Sequence, residues 1–373
     1  MSSIRPLERD DLTGVASLYE RVMRSGSPTP PPGLGAYLGR MVLDHPWADP
    51  ELPSLVSTSR DGAVEGFIGS HVRRLRFDGK PLRLRYSEWF VTDPAVRERG
   101  VGALLLRSYL AGPQDLTITD TAAGPVRRMW ERLGGMTAPL PSIGWVRFFR
   151  PFRFASDYLL ERSGNPSWKR AAHPVTALLD GGTRRVPAVR LQVQRPSTRD
   201  EELVPRALLD HLACLTDGLR LRPDYDKEFL DWLFAEMSAV TSRGALVRRL
   251  VSAPDGRVLG WYVAYLPAGG VGEVVQLVAP DDDVDAVLEH LLHDAWRSGA
   301  TLLRGRLEPR LFEPVARRRC YLRPSGTRVL VHARDPEVTA ALALGQALLT
   351  KMEGTWWMGH LVEPFTSKAP SPR

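Results

Sequence analysis

The stretch VTDPAVRERGVGALLLRSYL, residues 91–110, sets Arg97, Arg99, Gly100 and Gly102 where a β-branched run gives way to a leucine-rich one. Residues of these types at a strand-to-helix junction are suited to holding phosphate. A helix start carries N–H groups with no intrahelical partner and a partial positive charge. Glycine removes the Cβ atoms that would keep an anion off the backbone, and it tolerates positive φ. Arginine adds charge-assisted donors. The residues in position to act are Arg97, Arg99, Gly100, Val101, Gly102 and Ala103. Just upstream, Glu88 lies in the strand SEWFV, and alternation puts Tyr86, Glu88 and Phe90 on one face. A carboxylate between two aromatics is expected to be desolvated, raising its pKa toward that of a general base. Asp120, at the end of LTITD, is the second carboxylate to consider, with helix capping as its plainer role.

The elements that must carry these residues follow from periodicity. Apolar positions Val101, Leu104, Leu105 and Tyr109 predict a helix after the glycines, with Arg107 facing out. Period-2 alternation on both sides of Asp78-Gly79 predicts a hairpin. It sends Arg74, Arg76, Arg83 and Arg85 to one face, read as solvated. Three collinear echoes link the two halves of the chain: IRPLERDDL with QRPSTRDEEL, DGAVEGFIGSHV with DGRVLGWYVAYL, and SEWFVTDP with GEVVQLVAP. Two structurally similar halves are therefore expected, each an α/β (α+β) domain with helices on a sheet. The boundaries read as 1–150 and 188–373, joined by a connector at 151–187 made of one or two short helices and a Gly-rich loop. SGSPTPPPGLG at 25–35 is an irregular loop within the first domain, a surface loop or a flap over a cleft.

Composition limits the alternatives. Of 373 residues, 43% are hydrophobic and 25% charged, a globular balance with length for two domains. No apolar window is long enough for a bilayer, and the N-terminus lacks the apolar core of a signal peptide. A cytoplasmic protein without a membrane partner is the expectation. Cys214 and Cys320 are isolated, so neither a disulfide framework nor a zinc site is indicated. The net charge of +7 favours anionic partners. No basic run interleaved with aromatics points to nucleic acid. His290 and His293 are one helical turn apart without a further ligand cluster, so no metal is expected and a polar helix face is the reading. WLFAEM at 232–237 and TWWMG at 355–359 read as core or inter-domain packing.

A Walker loop, GxxxxGK[ST], is absent, and a dinucleotide GxGxxG fails because Leu105 stands where its third glycine would be. What remains, VTDPAVRERGVGALLL, resembles the acyl-CoA pyrophosphate loop of the GNAT (Gcn5-related N-acetyltransferase) superfamily. IRPLERDDLTGVASLYERV, DGAVEGFIGSHV and DLTITDTAAGPVRRMWERLGGM are similar to its flanking elements, so the resemblance spans residues 4–150. It implies two tandem GNAT-like domains, each a mixed, mostly antiparallel sheet flanked by helices. It also implies that amides from Arg99 to Ala103 hold the pyrophosphate with help from Arg97. Trp89, Phe90 and Val91 would pair with the pantetheine arm and present the thioester. The implied activity is N-acyl transfer from an acyl-CoA, with acetyl-CoA as co-substrate, to a small-molecule amine or amino sugar. The sequence departs from the family at three places. Trp130 stands at the tyrosine often used as general acid, Ala123 near a frequent asparagine, and Gly135 at the usual phenylalanine; Tyr86 or Tyr109 could supply the acid instead. In the second half, Asp281, Asp282 and Asp283 replace the cradle, a favourable helix start that would repel pyrophosphate. That half reads as a degenerate domain. A non-catalytic CoA-binding sensor and a Fem-like aminoacyl transferase are the alternatives; the acceptor and the oligomeric state are not legible.

Overall fold

The structure, a computed structural model, describes residues 3–122, 124–163, 168–183, 193–325 and 327–365; Ala123 and part of the 151–187 connector lie outside them. In chain order the first elements are β1 (Ser3–Pro6), α1 (Leu12–Met23), α2 (Leu34–Val42), β2 (Leu55–Thr58), β3 (Val64–Phe77) and β4 (Lys80–Thr92). They continue with α3 (Val101–Leu110), β5 (Leu116–Ala122), α4 (Gly124–Arg132), β6 (Met136–Ala138) and β7 (Ile143–Phe148). Helices α5 (Pro151–Arg162) and α6 (Lys169–Thr183) follow, so Gly181 and Gly182 of the expected Gly-rich loop are helical. The later half has β8 (Arg199–Glu202), α7 (Pro205–Leu215), β9 (Leu221–Pro223), α8 (Lys227–Ala239), β10 (Ala245–Ser252) and β11 (Val258–Leu266). It ends with β12 (Val271–Val278), α9 (Val284–Arg297), β13 (Leu302–Arg306), α10 (Phe312–Arg317), β14 (Tyr321–Pro324), β15 (Arg328–Ala333) and α11 (Pro336–Ala343).

These elements form two compact units that are not contiguous in sequence. The first falls within 1–139, 218–242 and 326–373, and the second within 140–217 and 243–325. The sequence reading placed uninterrupted domains at 1–150 and 188–373; the difference has a topological cause. The first sheet runs β1-β2-β3-β4-β5-β15-β6, with β9 beside β3. Its parallel β5 and β6 are separated by β15, antiparallel to both and drawn from near the end of the chain. The second sheet runs β14-β7-β13-β12-β11-β10-β8, and its β7 comes from residues 143–148. Each unit is therefore a mixed sheet flanked by helices in which β4–β5, or β12–β13, is a parallel pair in a mostly antiparallel ladder.

In the first unit the predicted hairpin forms, with Phe77 opposite Lys80 and both Asp78 and Gly79 at positive φ. Helix α3 packs Leu105, Leu106 and Tyr109 against Ile68, with Leu55 and Trp130 in the same core. Each such side chain contributes about 1.5–3 kcal/mol over leaving it in water. The expected helix face needs one correction, since Leu104 is half exposed and Leu106 takes its place inside. The arginine face is corrected as well. Arg74 is exposed, but Arg85 is buried beneath α3, where its guanidinium donates to the Tyr109 carbonyl at 2.8 Å and stacks on the Tyr109 ring at 3.6 Å. Among the described residues no helix is long and apolar enough to cross a membrane.

Candidate active site

The sequence Asp93-Pro94 ends β4 by design. The Asp93 carboxylate accepts from the Ala95 N–H at 2.9 Å and starts a 3-10 turn, Pro94–Arg99. Gly100 then adopts φ +71°, which lets the chain reverse into α3 without strain. The first α3 amide to bond back is that of Leu104, to the Gly100 carbonyl at 3.1 Å. The amides of Val101, Gly102 and Ala103 therefore form the open first turn. Gly102 lets this turn approach β4 closely: a Cβ there would lie 3.3 Å from Thr92 Cγ2 and 3.5 Å from Phe90 Cζ. Arg97 and Arg99 are exposed beside it, and Arg99 Nη1 lies 3.1 Å from Glu65 Oε1. An exposed ion pair of this kind is worth at most about 1 kcal/mol, so an incoming phosphate can displace it.

Beside this turn the sheet opens. Strands β4 and β5 pair only from Leu84–Leu116 to Tyr86–Ile118, and beyond that point they diverge. On its other edge β4 carries an extra residue, since Val91 opposes Phe67 while Glu88 opposes Gly69. The bulge centres on Trp89, a buried tryptophan at φ +54°. Bulky residues rarely adopt that conformation, and it costs on the order of 1–3 kcal/mol. Gly69 makes room for it: a Cβ there would meet Trp89 Cε3 at 3.0 Å. The bulge also overturns the expected face. Glu88 stays with Tyr86, but Val91 rather than Phe90 joins them, while Phe90 turns toward the α3 core.

Glu88 is 5% exposed, and its Oε2 accepts from Thr121 Oγ1 at 3.0 Å and from Thr355 Oγ1. His360 Nε2 lies 3.4 Å from Glu88 Oε1. Asp120 is also buried, on the same face, and Thr355 Oγ1 is 3.4 Å from its Oδ1. The two predicted carboxylates are thus brought to one hydroxyl. The expectation of a raised Glu88 pKa does not hold. Burial alone pushes the carboxyl up, but His360 and the hydroxyls of Thr355 and Thr121 outweigh it and hold it below the usual range. Glu88 therefore contributes stability that is full above the unfolded carboxylate value of about 4.3 and fades as pH falls toward the folded value. Urea midpoints measured from pH 6 to pH 3 should fall less steeply for Glu88→Gln than for wild type.

Of the two alternative acids, Tyr109 does not fit. Tyr109 is buried, donates to the carbonyls of Gly69 and Tyr86 at 3.2 Å, and is pushed up to about 12 by burial. Trp130 is fully buried in the core. Thr121, Thr355 and His360 were missed by sequence reasoning. Thr355 stands 267 residues from Glu88, and no local motif joins them. The segment reaching Phe365 is tied to the first unit by Gly359 N–H to Tyr37 Oη at 2.9 Å and Gly33 N–H to the Phe365 carbonyl at 3.3 Å. The 25–35 loop thus meets this segment through Gly33.

No protein-family model matches the sequence, and no curated protein is similar to it. Solved structures are similar in fold. A GCN5-related N-acetyltransferase from Anabaena variabilis aligns with TM-score 0.56 at 12% identity, over 90% of this chain and 74% of that one. One from Kribbella flavida aligns with TM-score 0.54 at 14% identity, over 90% and 72%. The chain has the GNAT fold. Saccharomyces cerevisiae N-myristoyltransferase with bound myristoyl-CoA shares this fold with TM-score 0.51 at 9% identity, over 88% of the GNAT-fold chain and 82% of its own.

The second GNAT-like unit has the same splay, with β12 and β13 paired only from Val271–Leu302 to Glu273–Arg304, and the same bulge near Val274. The loop differs. Asp281 and Asp282 are exposed, and Asp283 accepts from Arg257 at 2.6 and 3.0 Å. Asp283 makes no side-chain cap to α9 and pairs with Arg257 instead. His290 and His293 are buried, correcting the expected polar face; His290 Nδ1 lies 2.7 Å from Thr198 Oγ1. Among the described residues no group of three or more His, Cys, Asp and Glu is arranged to hold a metal.

Proposed function

We propose that this protein is an acyl-CoA-dependent N-acyltransferase whose first unit carries the reaction, with acetyl-CoA as donor and a small-molecule amine or amino sugar as acceptor. The observation that carries the reading is the open first turn of α3 behind a left-handed Gly100, set beside the divergence of β4 from β5. Of the expected amides from Arg99 to Ala103, that of Gly100 is taken by the Arg97 carbonyl at 3.0 Å, so those of Val101 to Ala103, with the Arg97 side chain, would hold the pyrophosphate. The β4 edge at Trp89, Phe90 and Val91, unpaired by β5, would take the pantetheine arm and seat the thioester. Glu88 and Asp120 would serve the acceptor side, where Thr355 joins them. The second unit, with Asp283 on Arg257, would hold no acyl-CoA at the matching place.

Native mass spectrometry with acetyl-CoA tests this reading. Wild type should bind one equivalent, and Gly100→Glu none, because the new carboxylate sits at the anion seat and the position demands positive φ. One equivalent still bound by Gly100→Glu would overturn the placement of the site at this turn.

A further inference from the structure

We propose that His360 is the general base of the reaction and that Glu88 is the residue that positions it. The inference rests on the acyl-transfer reading above. His360 is 3% exposed; its Nε2 faces only Glu88, and its Nδ1 has no hydrogen-bond partner among the described residues. Buried polar atoms are nearly always paired, so an imidazole left this way points to a partner that arrives with the reaction. Its Nε2 faces Glu88 Oε1 at 3.4 Å, while Thr121 and Thr355 occupy the other carboxylate oxygen. A carboxylate on one side of the ring fixes the proton on Nε2 and leaves the Nδ1 lone pair as acceptor.

The ring is held in place from several elements. It stands edge-on to Trp89, with centroids 5.4 Å apart, and to Tyr19 at 6.0 Å. Trp89 is the strained residue of the bulge and part of the proposed thioester seat, so His360 is packed against the reacting end of that seat. Its carbonyl accepts from Arg24 Nη1, and Arg24 also reaches the Glu363 carbonyl at 3.0 Å. The charged and titratable groups around it are Glu88 on β4, Asp120 on β5 through Thr355, and His71 on β3. From α1 come Tyr19 and the ion pair of Arg24 with Glu20 at 2.8 Å.

In the step assigned to it, the amine nitrogen attacks the thioester carbonyl carbon and a C–N bond forms. His360 Nδ1 takes the proton leaving that nitrogen. The C–S bond then breaks, and the imidazolium returns the proton to the departing thiolate. The products are an amide and CoA, and the histidine ends as it began. A base on one ring serving both transfers also answers the missing acid at Trp130.

The test measures CoA release from acetyl-CoA with glucosamine, spermidine, phenethylamine and a lysine peptide, together with acetyl-CoA binding by native mass spectrometry. His360→Gln keeps the size of the ring but cannot cycle a proton. It is expected to bind one equivalent with unchanged acetyl-CoA KM, while kcat falls about 100-fold or more. Wild-type kcat is expected to fall at low pH, and that fall should vanish in His360→Gln. Glu88→Gln should lower kcat by a smaller factor and move that low-pH limb, which gives a second reading if His360→Gln fails to fold. Unchanged kcat and pH profile in the variants overturns the inference and leaves the parent reading standing. Wild type that binds acetyl-CoA but releases no CoA with any probe also overturns the inference. Wild type that binds none overturns the parent reading itself.

Discussion

Arg73→Ala is expected to destabilise the first unit by about 3–5 kcal/mol in urea unfolding, the cost of the cavity left by a fully buried side chain and of buried carbonyls that lose their donor. Arg73 is 1% exposed on β3. Its Nε donates to the Glu353 carbonyl at 3.0 Å, and its Nη1 to the Val72 carbonyl at 3.0 Å. Burial pushes the guanidinium down to about 10, and the Glu353 carboxylate is the first group to offset this. That carboxylate is itself buried and accepts from Thr350 N–H at 2.6 Å, Thr350 Oγ1 at 2.7 Å and Tyr225 Oη. Burial pushes that carboxyl up, so removing the arginine takes away a compensating charge nearby while the carboxylate keeps its three donors. The double variant Arg73→Met with Glu353→Gln removes both charges at similar volume and should recover much of the loss. If the two single costs simply add, the residues are not coupled and the pair is not what holds the segment around 350.

Gly135→Ala is expected to cost about 3 kcal/mol, at the upper end for one added methyl. A Cβ at residue 135 would lie 1.9 Å from Trp130 Cδ1 and 2.2 Å from its Nε1. The indole cannot simply turn away, because it is fully buried with Leu106, Tyr109 and Leu330 in one core. Pairing Gly135→Ala with Trp130→Phe should cost less than the sum of the two changes, since the smaller ring leaves the space the methyl needs. A cost below 1 kcal/mol for Gly135→Ala alone would show that the ring and the glycine are not in contact. The pair also explains two departures from the family pattern at once: a tryptophan at 130 requires that 135 have no side chain.

What the sequence disclosed was mainly local. The turn at 93–103 was readable because proline, glycine and helix start act within a few residues of one another. Asp78-Gly79 fixed the hairpin for the same reason. Glu88 and Asp120 are legible only singly, because nothing local shows that β4 and β5 run side by side. The bulge at Trp89 was hidden, since its signal is Gly69 on another strand, and it changed which neighbour accompanies Glu88. Arg73 does carry a signal: in the doublet Arg73-Arg74, alternation must send one arginine inward. His360 and Thr355 carried no signal, because the tryptophans between them read as ordinary core. The interchange of β7 and β15 was equally silent, since a strand's alternation records that one face is buried and not which sheet accepts it.

That interchange governs the order in which the molecule can be finished. During vectorial synthesis the segment at 143–148 must await partners made more than a hundred residues later. The ladder edge at β5 must likewise stay open until 328–333 leaves the ribosome. Neither half can reach its final ladder while the other is incomplete. The two units are mutually dependent, and a gene cut between the halves would yield two unfinished products, not two smaller proteins.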